Sequence, residues 1–506
     1  MKVWQNQAYA VHHWDSTYPV YFIKYLQNAT NYEEETKMIK HIPVNQVSCC
    51  EAPVQEKGKL PVVIIGAGPV GLAAAAQLIS KGEPFMLFEA GDEVGANIRK
   101  WEHVRLFSPW QYNIDKAAKE LLQKANWVAP QNETIPTGKE VIEHYLKPLA
   151  ALPEISPNVH LNTKVTAISR KGLSKVKTNG REKLPFVIHV EQSRSSFIYE
   201  ARAVIDASGT WSNPNPLRSD GVFSEEEIAL KSHISYGIPA VLGKERNRYS
   251  GKKVLVVGSG HSAINTLLEL ARLQKEESGT EIVWAIRKSN IENVYGGREL
   301  DGLQARGELG NRIQKVVESG AVKVLTAFHI EKLQKQGEQI QVSGTIEDEQ
   351  LVIDHIDEIV GNTGSRPDLS MVREVRVLTD PSLECVYELA PLIDPNVHSC
   401  GTVRPHGEKE LRQPEKNFYI VGAKSYGRAP TFLMATGYEQ VRSIVAALVG
   451  DMESAQKVEL ELPETGVCSL GASSTESCCE PVQVKETTSD CCSPSKTGKA
   501  GSNSCC

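Results

Sequence analysis

Two short glycine clusters carry the chemistry of this sequence. The first is Gly66-Ala67-Gly68-Pro69-Val70-Gly71. In a GxGxxG turn the first glycine permits the tight bend and the second lets a diphosphate approach the backbone. The third lets the following helix pack against the strand before it. Glu89 follows 18 residues after Gly71, where a carboxylate can accept hydrogen bonds from both hydroxyls of a ribose. The second cluster is Gly258-Ser259-Gly260-His261-Ser262-Ala263, about 190 residues on, with alanine at the third position. The residues that follow its next strand are basic, Arg287 and Lys288. A carboxylate there repels a 2′-phosphate, whereas Arg and Lys attract it. The first loop is therefore read as an FAD site and the second as an NADPH site. His261 reads as a turn residue near phosphates.

These loops need strands before them and helices after them. Val62-Val63-Ile64-Ile65 is a continuous β-branched run, as expected of a strand buried on both faces of a parallel sheet. Leu72 to Leu78, with four consecutive alanines, is a strong helix former. A second strand, Phe85-Met86-Leu87-Phe88, leads to Glu89. Lys252–Val257, a helix from Ile264 to Leu273 and a strand from Glu281 to Ile286 repeat the plan around the second loop. In each unit the free N–H groups and positive dipole end of the helix face the phosphates.

The chain has 506 residues, 41% of them hydrophobic and 23% charged, which suits a protein of two or three domains. A net charge of -6 gives no reason to expect a nucleic acid or an anionic membrane. No apolar run approaches the roughly 20 residues of a membrane helix, and the N-terminus has no apolar core of a secretory signal, so a cytoplasmic protein is expected. Residues 1–60 read as an N-terminal extension. Residues 61–235 and 366–450 read as two parts of an FAD-binding domain, with an NADPH-binding domain, 236–365, inserted between them. Residues 451–506 read as a disordered tail, because large apolar residues nearly vanish there. The expected class is α/β, with two Rossmann-like, three-layer ββα domains.

Seven of the eleven cysteines follow residue 465, and six of these are adjacent pairs: Cys478-Cys479, Cys491-Cys492 and Cys505-Cys506. That placement argues against a disulfide framework and for reduced thiols, and vicinal thiolates are soft ligands for thiophilic ions.

Two such loops, one acidic and one basic, resemble the two-dinucleotide-binding-domain flavoproteins. Val204-Ile205-Asp206-Ala207-Ser208-Gly209-Thr210 is similar to the segment where that family's chain leaves the FAD domain, which implies Ser208 and Gly209 as cofactor contacts. Ile359 to Pro367, with Gly364, resembles the segment returning from the NADPH domain. Asn417 to Ala423, with Gly422 and a helix from about Pro430 to Leu448, resembles the last FAD motif, whose helix meets the flavin's pyrimidine edge. The family's usual Asp after that glycine is Ala423 here. Ser208-Gly209-Thr210-Trp211-Ser212-Asn213-Pro214 and Ser232-His233-Ile234-Ser235-Tyr236 most resemble the flavin-containing monooxygenases. Their usual flavin-contacting Asn has no counterpart in Trp101 to Trp110.

The resemblance implies hydride transfer from NADPH to FAD and then to oxygen or substrate. Ser108, His233 and Arg366 are catalytic candidates by position within motifs, each with a structural role as the stronger reading. A dithiol relay at either of the family's usual positions, the first helix after the glycine loop or the NADPH domain, is excluded, since no cysteine lies between Cys50 and Cys385. The alternative is a flavin reductase handling a soft metal or metalloid, arsenic or mercury, through the tail pairs. That tail resembles the thiol-delivery tail of mercuric reductase, and the whole is similar to flavoproteins of arsenic-resistance gene clusters. A flavin-bearing sensor without turnover is a third reading. The expected partner is a small-molecule or metalloid substrate, and a homodimer is left open.

Overall fold

A computed structural model describes residues 59–298, 303–396 and 403–460. Residues 1–58 of the N-terminal extension and the paired cysteines of the tail, with the soft-ion site expected there, lie outside the described residues.

The first domain is built on five parallel strands: β1 (Val62–Ile65), β2 (Phe85–Phe88), β3 (Val159–His160), β7 (Ala203–Asp206) and β16 (Phe418–Ile420). Their order is β16-β7-β1-β2-β3. All four residues of β1 are buried, as a strand covered on both faces requires. Helix α1 (Pro69–Ser80) packs on one face, and Ala73 to Ala76 are fully buried. These small side chains let α1 lie close to the sheet and against the C-terminal helix. An antiparallel sheet of β4 (Thr163–Arg170), β5 (Phe186–Gln192) and β6 (Ser195–Ala201) completes the layers.

The second domain repeats this plan. Strands β8 (Ile234–Tyr236), β9 (Lys253–Val257), β10 (Glu281–Ala285), β11 (Lys323–Leu325) and β15 (Glu358–Gly361) run parallel in the order β11-β10-β9-β15-β8. Helices α3 (His261–Glu276) and α4 (Gln304–Glu318) pack against each other, and α3 covers one face; α2 is Lys116–Lys124 of the first domain. The other face carries β12 (His329–Gln336), β13 (Gln339–Ile346) and β14 (Glu349–Ile356). Phe328, Ile330, Leu333, Ile340 and Val342 form the core between those two sheets.

Helix α3 opens at His261, directly after its cap Gly260, rather than at Ile264, so His261 is the first helical residue and not part of the turn. Three further boundaries differ from the sequence reading. The second domain begins before residue 236: Ile234–Tyr236 is already its edge strand, and Leu217 and Leu230 lie in its core. The C-terminal helix α5 is Met434–Leu448 rather than starting near Pro430, because Leu433 is extended and caps it. The fold also does not stop at Gly450. A further turn, Met452–Gln456, buries Ala455 and is held to α5 by Arg442, which donates to the Ser454 carbonyl at 2.9 Å.

Candidate functional site

Both glycine loops lie at the C-terminal edge of their parallel sheet, each opening onto a helix N-terminus. Gly66 has φ +98°, and its N–H donates to the Phe88 carbonyl at 2.7 Å. A Cβ on Gly71 would stand 1.9 Å from the Gly66 carbonyl oxygen, so strand and helix meet there at backbone contact. A Cβ on Gly68 would meet nothing within 4 Å. That opening faces the start of α1, whose cap has no side-chain hydrogen bond and whose first residue, Pro69, has no N–H to spare. This is the cradle a diphosphate needs.

Glu89 closes the loop. Its carboxylate accepts the Ala67 N–H at 2.7 Å and the Gly91 N–H at 2.8 Å, one on each oxygen. Each oxygen keeps a lone pair for a ribose hydroxyl.

The second loop is built alike. Gly258 has φ +129° and is bound to the Ala285 carbonyl, and its Cβ would lie 2.3 Å from the Asn362 carbonyl oxygen. Gly260, like Gly68, has nothing within 4 Å. Ala263 is fully buried under the helix, and Ser262 accepts through its carbonyl from Thr266. Phe88 pairs with Ile65 and Ala285 with Val257. The structural counterpart of Glu89 is therefore Ile286, which is buried, and Arg287 stands one residue further on. Arg287 is exposed and has no ion pair or hydrogen bond among the described residues. Lys288 donates to the Asn293 carbonyl at 2.8 Å.

The two crossovers between the domains run side by side. Ser365 Oγ donates to Thr210 Oγ1 at 2.8 Å, and Asn215 N–H donates to the Gly364 carbonyl at 3.0 Å. Gly209 (φ +70°) and Gly364 (φ +82°) both use the left-handed region. Gly209 is another position with open space in front of it.

At the last motif Gly422 has φ +67° and donates its N–H to Gln440 Oε1 at 2.7 Å. Gln440 Nε2 in turn lies 2.9 Å from His406 Nε2, and burial pushes the pKa of His406 down. Just before α5, Thr431 Oγ1 is buried without a hydrogen-bond partner. An orphaned hydroxyl beside an uncapped helix N-terminus fits the polar edge of a flavin ring.

The three catalytic candidates do not come together. Ser108 is buried and donates to Asn113 Oδ1 at 2.8 Å, while Asn113 returns a bond to the Ser108 carbonyl. His233 precedes β8 and sits 3.3 Å from the Asp357 carbonyl. Arg366 binds Asn215 Oδ1 at 2.8 Å and the Gly221 carbonyl at 3.2 Å, tying one crossover to the other. Among the described residues no group of three or more His, Cys, Asp or Glu could hold a metal ion. No described helix is long and apolar enough to cross a membrane.

Two features were not singled out from sequence. Lys424 and Asp206 form a buried ion pair at 2.7 Å. The ring of Phe107, from the first domain, lies 5.5 Å from that of His261, tilted by 44°, and 5.8 Å from the guanidinium of Arg306, both in the second. A lone acid ending the apolar strand Ala203–Asp206 was the available signal for the first. The second has none, since it joins distant loops.

Residues 63–389 match the family model for pyridine nucleotide-disulphide oxidoreductases. An indole-3-pyruvate monooxygenase of Oryza sativa subsp. japonica is 29% identical over 226 residues, 44% of this chain and 48% of that protein. Flavin-containing monooxygenase 1 of Rattus norvegicus is 27% identical over 233 residues, 45% of this chain and 41% of that protein. The chain thus spans about half the length of the curated relatives it matches. The FAD-bound cadaverine monooxygenase of desferrioxamine biosynthesis from Erwinia amylovora aligns with a TM-score of 0.55 at 14% identity, covering 83% of this chain and 100% of that one. That likeness establishes the two-domain dinucleotide-binding fold.

Proposed function

The chain belongs to the pyridine nucleotide-disulphide oxidoreductase family, and from that premise we propose that it is an FAD- and NADPH-dependent oxidoreductase of the flavin monooxygenase type. The observation that carries this reading is the pair of open glycine positions, Gly68 and Gly260, each in front of a helix N-terminus, with an acid beside one loop and a free guanidinium beside the other.

Among the described residues the disulphide half of the family's chemistry has no cysteine pair to run on. No cysteine lies between Cys50 and Cys385, and Cys385 is a single buried thiol whose pKa burial pushes up to about 12. A thiol held protonated is a poor nucleophile. FAD and NADPH, when bound, would supply the redox chemistry, hydride transfer from nicotinamide to flavin and electrons for oxygen or substrate.

The chain's own residues bind and orient. Gly66, Gly68 and Gly71 shape the FAD diphosphate cradle, and Glu89 takes the ribose hydroxyls. Ser208, Gly209 and Gly422 would frame the flavin end, where the N–H groups and positive dipole end of α5 would favour the charge a flavin gains on reduction. Gly258, Gly260, Ser262 and Ala263 shape the NADPH cradle, with Arg287 and Lys288 at the 2′-phosphate and Gly364 at the returning crossover. The test is the cofactor content of the purified full chain together with equilibrium binding of NADP⁺ and NAD⁺. The reading requires stoichiometric FAD and a clear preference for NADP⁺. A colourless protein that takes up no added FAD refutes it.

A further inference from the structure

A charged pair lies buried beneath the end of the first domain's β7. Asp206, at the end of β7, is completely buried, and Lys424 is 3% exposed. The Lys424 ammonium donates to Asp206 Oδ2 at 2.7 Å and to Ser208 Oγ at 3.1 Å. Ser208 donates both its hydroxyl, at 2.6 Å, and its N–H, at 3.1 Å, to Asp206 Oδ1. Three residues from two chain segments thus close a small buried ring.

Its position is specific. Asp206 pairs with Ile65, the residue before Gly66. A Cβ on Gly66 would meet the Ala207 carbonyl oxygen at 2.8 Å and Ser208 Cα at 3.0 Å, so the segment anchored by Asp206 abuts the first glycine loop. The next residue, Gly209, has a left-handed backbone and open space where a side chain would be. The ring therefore fixes backbone that lines the mouth of the first cradle, at the point where the chain leaves the domain.

A buried ion pair is a weak device for stability, because desolvating both charges offsets most of their attraction. Apolar replacements of both partners are commonly neutral or stabilising, whereas removing one partner strands a charge. What this pair supplies that an apolar pair cannot is a fixed acceptor for Ser208. We infer that Lys424 is a positioning residue for the flavin site: by holding the Asp206 carboxylate it sets Ser208 and Gly209 at the edge of the FAD cradle. The inference rests on the reading of the first loop as an FAD site.

The test compares Lys424→Met, Asp206→Val and the double variant in the full chain. Thermal unfolding without flavin, titration with FAD by flavin fluorescence, and visible circular dichroism of the bound flavin are the readouts. Lys424→Met should lower both the unfolding temperature and FAD affinity, since it leaves Asp206 buried and unpaired. The double variant should recover most of the unfolding temperature, yet keep FAD affinity reduced by roughly tenfold, the equivalent of one lost buried hydrogen bond, with an altered flavin dichroism. A double variant that regains wild-type FAD affinity and dichroism along with its stability reduces the pair to a structural tie and overturns the inference. Wild-type protein that binds no FAD overturns the reading of the loop itself, a result distinct from the behaviour of the variants.

Discussion

Gly68 and Gly71 lie three residues apart in one loop, yet their substitution should fail in different ways. A Cβ at position 71 would sit 1.9 Å from the Gly66 carbonyl oxygen, whereas real Cβ contacts essentially never fall below 3.0 Å. Strand β1 and helix α1 must then separate by at least about 1.1 Å, the difference between those distances, at a contact made wholly of backbone. Over-packing of this kind typically costs about 1–3 kcal/mol, and a rigid backbone contact belongs at the upper end. Gly71→Ala should therefore lower the unfolding temperature whether or not flavin is present. At position 68 the backbone is extended, with φ -79°, and nothing lies within 4 Å of a new Cβ. Gly68→Val should leave the flavin-free protein within about 0.5 kcal/mol of wild type, as surface substitutions do. Its side chain would occupy the space a diphosphate needs, and the same 1–3 kcal/mol overlap weakens FAD about ten- to a hundredfold. The assay is thermal unfolding of flavin-free protein beside an FAD titration. Gly68→Val with undiminished FAD affinity, or Gly71→Ala as stable as wild type, refutes the assignment of space to the cofactor.

Arg287→Ala should weaken NADP⁺ by roughly ten- to a hundredfold, the worth of a charge-assisted bond to the 2′-phosphate, and leave NAD⁺ unchanged. Equal losses for both would remove Arg287 from that role. Asp115 caps α2 through the Ala118 N–H and is fully enclosed, so burial raises its pKa from 3.8 to about 6. A raised folded pKa means that its favourable contribution is complete below the unfolded value and lost as pH rises through about 6. Asp115→Asn, which can keep the cap, should gain stability relative to wild type between pH 4 and pH 8 by up to ~3 kcal/mol, about two units at 1.36 kcal/mol each. A pH-independent difference in urea unfolding would contradict it. His406 shifts the other way: its lowered pKa gives stability that is fully present above the unfolded value near 6.5 and is lost as pH falls from there through the lower folded value. His406→Gln should flatten that acid limb, and an unchanged limb would show that another group causes it.

The parallel strands beneath both loops were legible because burial on two faces writes them as nearly continuous apolar runs rich in valine and isoleucine. Val62–Ile65 and Lys253–Val257 need no partner to be recognised. Each loop and its neighbouring acid or base were legible for the same reason, since the whole unit lies within about 35 residues. The edge strand Ile234–Tyr236 was missed as a strand because three residues carry too little pattern. The domain start was misplaced because Leu217 and Leu230 lie in short segments with no strand or long-helix pattern, and only the fold shows them sharing one core. Residues 451–460 read as tail because a single small residue, Ala455, anchors them. Lys424 and Asp206 stand 218 positions apart, and no local spacing announces such a pair.

The most direct test of the central claim is rapid mixing of the purified full chain with NADPH or NADH without oxygen, followed by mixing of the reduced protein with oxygen and NADP⁺. The account predicts bound FAD that NADPH bleaches much faster than NADH does. Oxygen should then return the oxidised spectrum through a species distinct from both end states. A flavin reduced equally well by both nucleotides, or one that NADPH leaves oxidised, would contradict it.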